Sequence, residues 1–104
     1  MPEGFVYRFA WDVAKAAANR LKHQVSFELA STVFGDPLFL SRCDEEHSED
    51  EERWVMLGQA ENATLLIVIH TFEPLSETEA RVRIISARKA NAHERAQYEV
   101  GQSR

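Results

Sequence analysis

A chain of 104 residues with 44% hydrophobic content has the size of one domain with a modest core around one sheet, and residues 1–104 are read as that domain. The longest apolar run, Leu65 to Ile69, is far short of the roughly 20 residues a membrane-spanning helix needs, and no basic segment with a following apolar stretch opens the chain, so a soluble, cytoplasmic protein is expected. A single cysteine, Cys43, excludes an internal disulfide and a cysteine-based zinc cluster.

The formal net charge of -5 argues on average against a polyanionic partner. The excess acid is local, however. Seven of the 17 acidic residues, Asp44, Glu45, Glu46, Glu49, Asp50, Glu51 and Glu52, stand in one run within residues 43–52, and removing them leaves ten acids against 12 Lys and Arg. From Arg81 to Arg104 six basic residues face two acids, Glu94 and Glu99, a local charge of about +4 with standard ionisation states.

In chain order, Phe5 to Phe9 is short, aromatic and partly alternating, which predicts a strand. Asp12 is placed to cap a helix over Val13 to Lys22, where Val13, Ala16, Ala17 and Leu21 recur at helical spacing. His23-Gln24 breaks it. Ser26 caps a second helix whose apolar face, Phe27, Ala30, Val33 and Phe34, is stapled by Val25, and Gly35-Asp36-Pro37 stops it. Leu38 to Ser41 reads as a short strand before the acidic run, which carries too much like charge to pack and is expected to be a solvated loop. Arg53 to Gln59 and Thr64 to Thr71 form a hairpin about Ala60-Glu61-Asn62-Ala63, with the second strand apolar on both sides and therefore central. Glu73 to Glu79, with Pro74, reads as a loop, Arg81 to Ala87 as a strand, and Asn91 to about Val100 as a capped helix ended by Gly101. The short connections favour an antiparallel sheet of about four strands in an α+β fold with two N-terminal helices and a C-terminal one.

The run Phe9-Ala-Trp11-Asp12-x-x-Lys15-Ala16-x-x-Asn19-x-x-Lys22-His23-x-Val25-Ser26-Phe27-Glu28-x-Ala30-x-x-Val33-Phe34-x-Asp36-Pro37 resembles the opening signature of BrnT toxins. His47-Ser48 with Glu52-Arg53-Trp54, Gly58, Val68-x-His70-Thr71, Arg83-Ile84-Ile85-Ser86-Ala87-Arg88 and Glu94-Arg95-x-x-Tyr98 succeed it in that family's order, so the resemblance covers roughly Phe9 to Tyr98. It implies a RelE-like fold, metal-independent ribonuclease activity that arrests growth, and neutralisation by a BrnA-like antitoxin whose ribbon-helix-helix segment binds DNA. The toxin itself is then expected to touch DNA only through that antitoxin, and to need no cofactor and no membrane.

Metal-free RNA cleavage by attack of a 2′-hydroxyl requires a base, cations for the crowded phosphate and an acid for the leaving oxygen. Arg83 and Arg88 suit the phosphate, because guanidinium presents paired donors and stays charged, although a salt bridge to the acidic run suits them equally. Arg53 is a third candidate. His70, closing an apolar strand, has an ordinary pKa near 6.5 that suits proton transfer, with a half-buried structural histidine as the plainer alternative. Lys22 and His23 are proton-transfer candidates that also favour a helix C-terminus electrostatically, and Tyr98 either orients substrate or packs on the sheet. His47, among acids, reads as a loop ion pair, Trp11 and Trp54 as core, and no metal-ligand spacing is present. The competing reading is a non-catalytic binding module whose basic face docks RNA or a protein.

Overall fold

The computed structural model describes residues 5–47 and 51–102, with the side chains of His47 and Gln102 left aside; Ser48, Glu49 and Asp50 of the acidic run and any ion pair of His47 lie outside the described residues. The elements are β1 (Val6–Ala10), α1 (Val13–His23), α2 (Phe27–Ser31), a 3-10 turn (Thr32–Gly35), β2 (Leu40–Cys43), a second 3-10 turn (Glu45–His47), β3 (Arg53–Gln59), β4 (Leu65–Thr71), β5 (Glu73–Pro74), β6 (Glu79–Lys89) and α3 (Ala92–Gln102). Six strands form one mixed sheet in the order β1-β6-β4-β3-β2, with β5 pairing β6. The sequence reading of about four antiparallel strands is thereby corrected. β1 pairs with β6 in parallel, a contact between ends of the chain that the long intervening connection permits and local pattern does not reveal. The segment 73–79, read as a loop, contributes β5, and β6 is 11 residues long.

Local chemistry accounts for the helix boundaries. The Asp12 carboxylate accepts from Lys15 N at 2.9 Å, and Gln24 takes a left-handed conformation, φ 59°, that ends α1. The Ser26 hydroxyl accepts from Leu29 N at 3.0 Å, but the predicted second helix tightens into a 3-10 turn after Ser31. At α3, Asn91 and Glu94 form a reciprocal capping box: Glu94 N donates to Asn91 Oδ1 at 2.8 Å and Asn91 N to Glu94 Oε1 at 2.9 Å. Gly101 does not terminate this helix. A side chain there would come within 3.2 Å of Leu40, so the glycine serves the close packing of α3 on β2.

Two layers cover the sheet unequally. On its first face Val25, Phe27, Ala30, Val33 and Phe34 pack against Met56, Leu66, Val68, Val82, Ile84 and Ala87, joined by Tyr7, Phe9 and Trp11. Gly58 is part of this packing, since an added Cβ would lie 2.6 Å from Val33 Cγ1. On the second face α3 covers only one end, where Tyr98 and Ala90 meet Leu57 and Ile67. The other end stays open.

Two buried polar residues set the geometry of this framework. Asn19, 8% exposed, donates to Val25 O at 3.0 Å and to Ala87 O at 2.8 Å and accepts from Ala87 N at 3.1 Å, fastening α1 to the outer edge of β6 beyond the end of β1. We expect Asn19→Ala to strand these backbone groups and lower stability by about 3 kcal/mol, read in urea unfolding; a loss below about 1 kcal/mol would show that water replaces the amide. His70, 2% exposed on the first face, lies against the Phe34 ring at a centroid distance of 4.8 Å. Its Nδ1 sits 2.9 Å from Thr71 O, which can only accept, so Nδ1 carries the proton, and burial pushes the pKa below the ordinary 6.5. The folded state then binds the proton less readily than the unfolded chain. Stability from this residue is fully present above pH about 6.5 and declines as the pH falls below it. In His70→Phe that share of the acid sensitivity is expected to vanish, which melting curves across this range will show.

Candidate active site on the arginine face

The second face of the sheet is built by strand alternation. On β1 and the first half of β6, Arg8, Arg81 and Arg83 point to it, opposite the core positions Tyr7, Phe9, Val82 and Ile84. Arg88 lies five residues beyond Arg83, an odd spacing that places residues of a regular strand on opposite faces. The register resolves this. His70 pairs with Ile84 while Ile69 pairs with Ser86, so Ile85 is an extra, bulged residue and Arg88, opposite Ile67, returns to the same face as Arg83. Arg53 pairs with Thr71, whose hydroxyl accepts from Arg83 N at 3.1 Å, so Arg53 and Arg83 flank β4 about two strand spacings, or ~10 Å, apart. Arg42 comes to the same face opposite Val55.

Between α3 and the 3-10 turn after β2, this face dips into a groove of about 460 Å³. Its floor is Val55, Ile67 and Ile69, and its walls include Arg42, Arg88, Glu94 and the acids Asp44, Glu45 and Glu46. A second hollow of about 300 Å³ continues along β2 past Leu40 and Leu57 to Gln97 and shares Arg42 and Glu94.

The cations here are largely paired within the chain. Arg8 meets Glu79 at 2.7 Å, Arg81 meets Glu73 at 2.8 Å, and Arg83 meets Glu51 of the acidic run. Arg88 donates through both terminal nitrogens to Glu94, Nη1 to Oε1 at 2.8 Å and Nη2 to Oε2 at 2.7 Å, a two-pronged bond that holds the Glu94 carboxyl below the usual glutamate range and raises Arg88. Among the described residues Arg42 has no ion-pair partner.

Of the sequence candidates, the structure brings Arg53, Arg83 and Arg88 to one face. It separates His70, which is buried behind the sheet at an aromatic hollow lined by Tyr7, Phe34, Trp54 and Phe72. Tyr98 is 6% exposed, and its hydroxyl donates to Asp36 Oδ2 at 2.6 Å; burial and that carboxylate push it up to about 12, so it stays protonated and committed. Burial acts to raise Asp36, but donors from Tyr98, Gln59 and Leu38 win and hold it below the carboxylate range. Lys22 and His23 do not line the groove. They stand in the last turn of α1, three and four residues past Asn19.

Two residues lie outside the sequence candidates: Arg42, because the strand over 38–41 is expected to end before it, and Glu94, which the sequence marks only as a helix cap and part of the family motif. The Arg83–Glu51 pair is the salt bridge to the acidic run weighed as the alternative for Arg83. Among the described residues no group of three or more His, Cys, Asp or Glu is arranged to hold a metal, and no helix is long and apolar enough to cross a membrane.

A family model described as the ribonuclease toxin BrnT of type II toxin–antitoxin systems matches residues 11–94. Among solved structures, the fold is similar to that of the Brucella abortus ribonuclease toxin BrnT, with a TM-score of 0.54 at 22% identity over 83% of this chain and 99% of that one. No curated protein sequence gives a significant match. The family match runs from the start of α1 through the arginine strands to the cap of α3, and by it the chain belongs to the BrnT family of type II toxin–antitoxin ribonuclease toxins.

Proposed function

We propose that this chain is a metal-independent endoribonuclease of RelE-like fold, acting in the cytoplasm and neutralised by a BrnA-like antitoxin that links the pair to DNA. The observation that carries this reading is the placement of Arg42, Arg53, Arg83 and Arg88 on one face of the sheet, with Arg42 and Arg88 lining an apolar-floored groove beside α3. Such an arrangement suits an RNA strand held by its phosphates and concentrates positive charge where the pentacoordinate phosphorane develops negative charge, without a metal ion. Thr71 fixes the backbone of Arg83 and the Glu94 fork fixes the guanidinium of Arg88, so both are oriented before substrate arrives. Val55, Ile67 and Ile69 lower the local dielectric beneath the phosphate and strengthen each contact.

Lys22 and His23, in the last turn of α1 outside the groove, are assigned to a flanking phosphate, where charge raises affinity. His70 and Tyr98 are assigned to the core on their burial. The antitoxin is expected to cover the arginine face, competing directly with RNA. The alternative, a module that docks RNA or a protein without cutting it, finds support in the carboxylates that already pair with Arg8, Arg81, Arg83 and Arg88.

Purified protein incubated with single-stranded RNA in EDTA distinguishes the two. Products ending in 2′,3′-cyclic phosphate are expected, together with a rate loss on the order of 10²-fold for Arg83→Ala and for Arg88→Ala with unchanged melting temperature. Binding with no cutting under any condition establishes the docking module instead. For Lys22→Ala/His23→Ala the expected outcome is a KM raised several-fold with kcat little changed, and a kcat loss comparable to that of the arginine variants would return both residues to proton transfer.

A further inference from the structure

The reaction needs a proton acceptor for the attacking 2′-hydroxyl, and the groove restricts where it comes from. Among the described residues, the ionisable groups lining it are Arg42, Cys43, Asp44, Glu45, Glu46, Arg88 and Glu94. His70 lies behind the sheet, Tyr98 is bound to Asp36, and Lys22 and His23 stand outside the groove. Of the carboxylates, Asp44, Glu45 and Glu46 belong to the strand end and turn that lead into the acidic run, whereas Glu94 sits in the first turn of α3 and lines both hollows.

We propose that Glu94 is a catalytic residue, the general base that takes the 2′-hydroxyl proton of RNA held at Arg88. Resting on the ribonuclease reading, the assignment adds to it the group that activates the nucleophile. Its geometry is specific to one oxygen. Oε1 accepts twice, from Arg88 Nη1 and from Asn91 N, while Oε2 accepts from Arg88 Nη2 alone and keeps capacity for an incoming hydroxyl. With 17% of the side chain exposed, the carboxylate is reachable yet partly withdrawn from water. The same Arg88 that orients the base is placed to meet the phosphate beside it, so base and electrophile are positioned by one guanidinium.

The step balances within RNA, Glu94 and solvent. The 2′-O–H proton passes to Oε2, the 2′-oxygen forms a bond to phosphorus, and the bond from phosphorus to the 5′-oxygen breaks with its electron pair on that oxygen, which takes a proton from water. The products are a 2′,3′-cyclic phosphate and a 5′-hydroxyl, and Glu94 returns its proton to solvent. Arg88, the Asn91 backbone N–H and His93 favour the ionised form of Glu94 and burial opposes it, while Arg42, Asp44, Glu45 and Glu46 line the same groove. Ionisation at neutral pH is therefore secured by the guanidinium contact.

Single-turnover cleavage and RNA binding of the full chain test the assignment. Wild-type cleavage in EDTA must be seen first, and its absence would overturn the ribonuclease reading itself. Given cleavage, Glu94→Gln, which retains an acceptor for the Asn91 cap, is expected to lower the rate at least 100-fold, to bind RNA as tightly as wild type or more so because a negative charge has left the groove, and to lose the acidic limb of the rate–pH profile. Acetate added to Glu94→Ala is expected to restore cleavage in proportion to its concentration. A Glu94→Gln enzyme with wild-type rate and pH profile would overturn the proposal, and a weakened RNA affinity with unaltered pH profile would reduce Glu94 to a support for Arg88. Transfer of the same loss to Glu46→Gln would place the base in the acidic turn and also overturn it.

Discussion

The extra residue at Ile85 governs how this sheet presents its charge. Alternation along a strand is strict, and five positions separate Arg83 from Arg88, so in an unbroken β6 one guanidinium would be driven into the helix-covered core among Leu66 and Val68. By absorbing one residue between the pairs His70–Ile84 and Ile69–Ser86, the bulge turns the second half of the strand over. Ala87 then takes the core position, small enough for Asn19 to reach its backbone from α1, and Arg88 takes the open one. Packing of α1 and placement of the second arginine thus arise from the same irregularity.

The contact at Arg88 ties the site to the rest of the fold. Its partner Glu94 closes the cap of α3, and α3 is held at its far end by Tyr98 on Asp36, whose carboxylate also accepts from Leu38 N and Gln59 N. One helix therefore covers half of the second face, leaves the other half open and supplies the carboxylate wall of the groove. Exposed ion pairs such as Arg8–Glu79 contribute little to stability, and the energetic anchoring of α3 comes from Tyr98, Ala90 and their apolar neighbours.

Much of this was legible in the residues. Caps at Asp12, Ser26 and Asn91 marked the three helices, and the apolar run Leu65 to Ile69 marked the central strand, because each signal is local and made by neighbouring side chains. The family signature pointed to Arg53, Arg83 and Arg88, which do share a face. The features that escaped depend on distant chain segments. Nothing near Val6 announces a parallel partner at Glu79, a two-residue strand at Glu73 has no pattern to show, and a bulge is invisible until register is known. At His70 the plainer of two readings holds: the end of a strand suggests a rim, yet its parity, shared with Leu66 and Val68, assigns it to the core side, where it is more deeply buried than half.

The acidic balance of the chain has its origin in the same placement of charge. A face carrying six arginines without counterions would repel itself, and the structure sets Glu79, Glu73, Glu51 and Glu94 against four of them. These carboxylates are internal counterions, and under the proposed function RNA phosphates would displace them, so that binding would exchange one anion for another rather than load a bare cationic surface. Glu51 and Glu94 respond differently to that exchange. Glu51 is exposed and comes from the acidic run, so under the proposed function a phosphate at Arg83 would replace it, whereas Glu94 is cap, partner and wall at once and would remain beside a phosphate bound at Arg88. An acid retained beside a bound phosphate would weaken ground-state binding, and the proposed role of Glu94 as proton acceptor would account for its presence there.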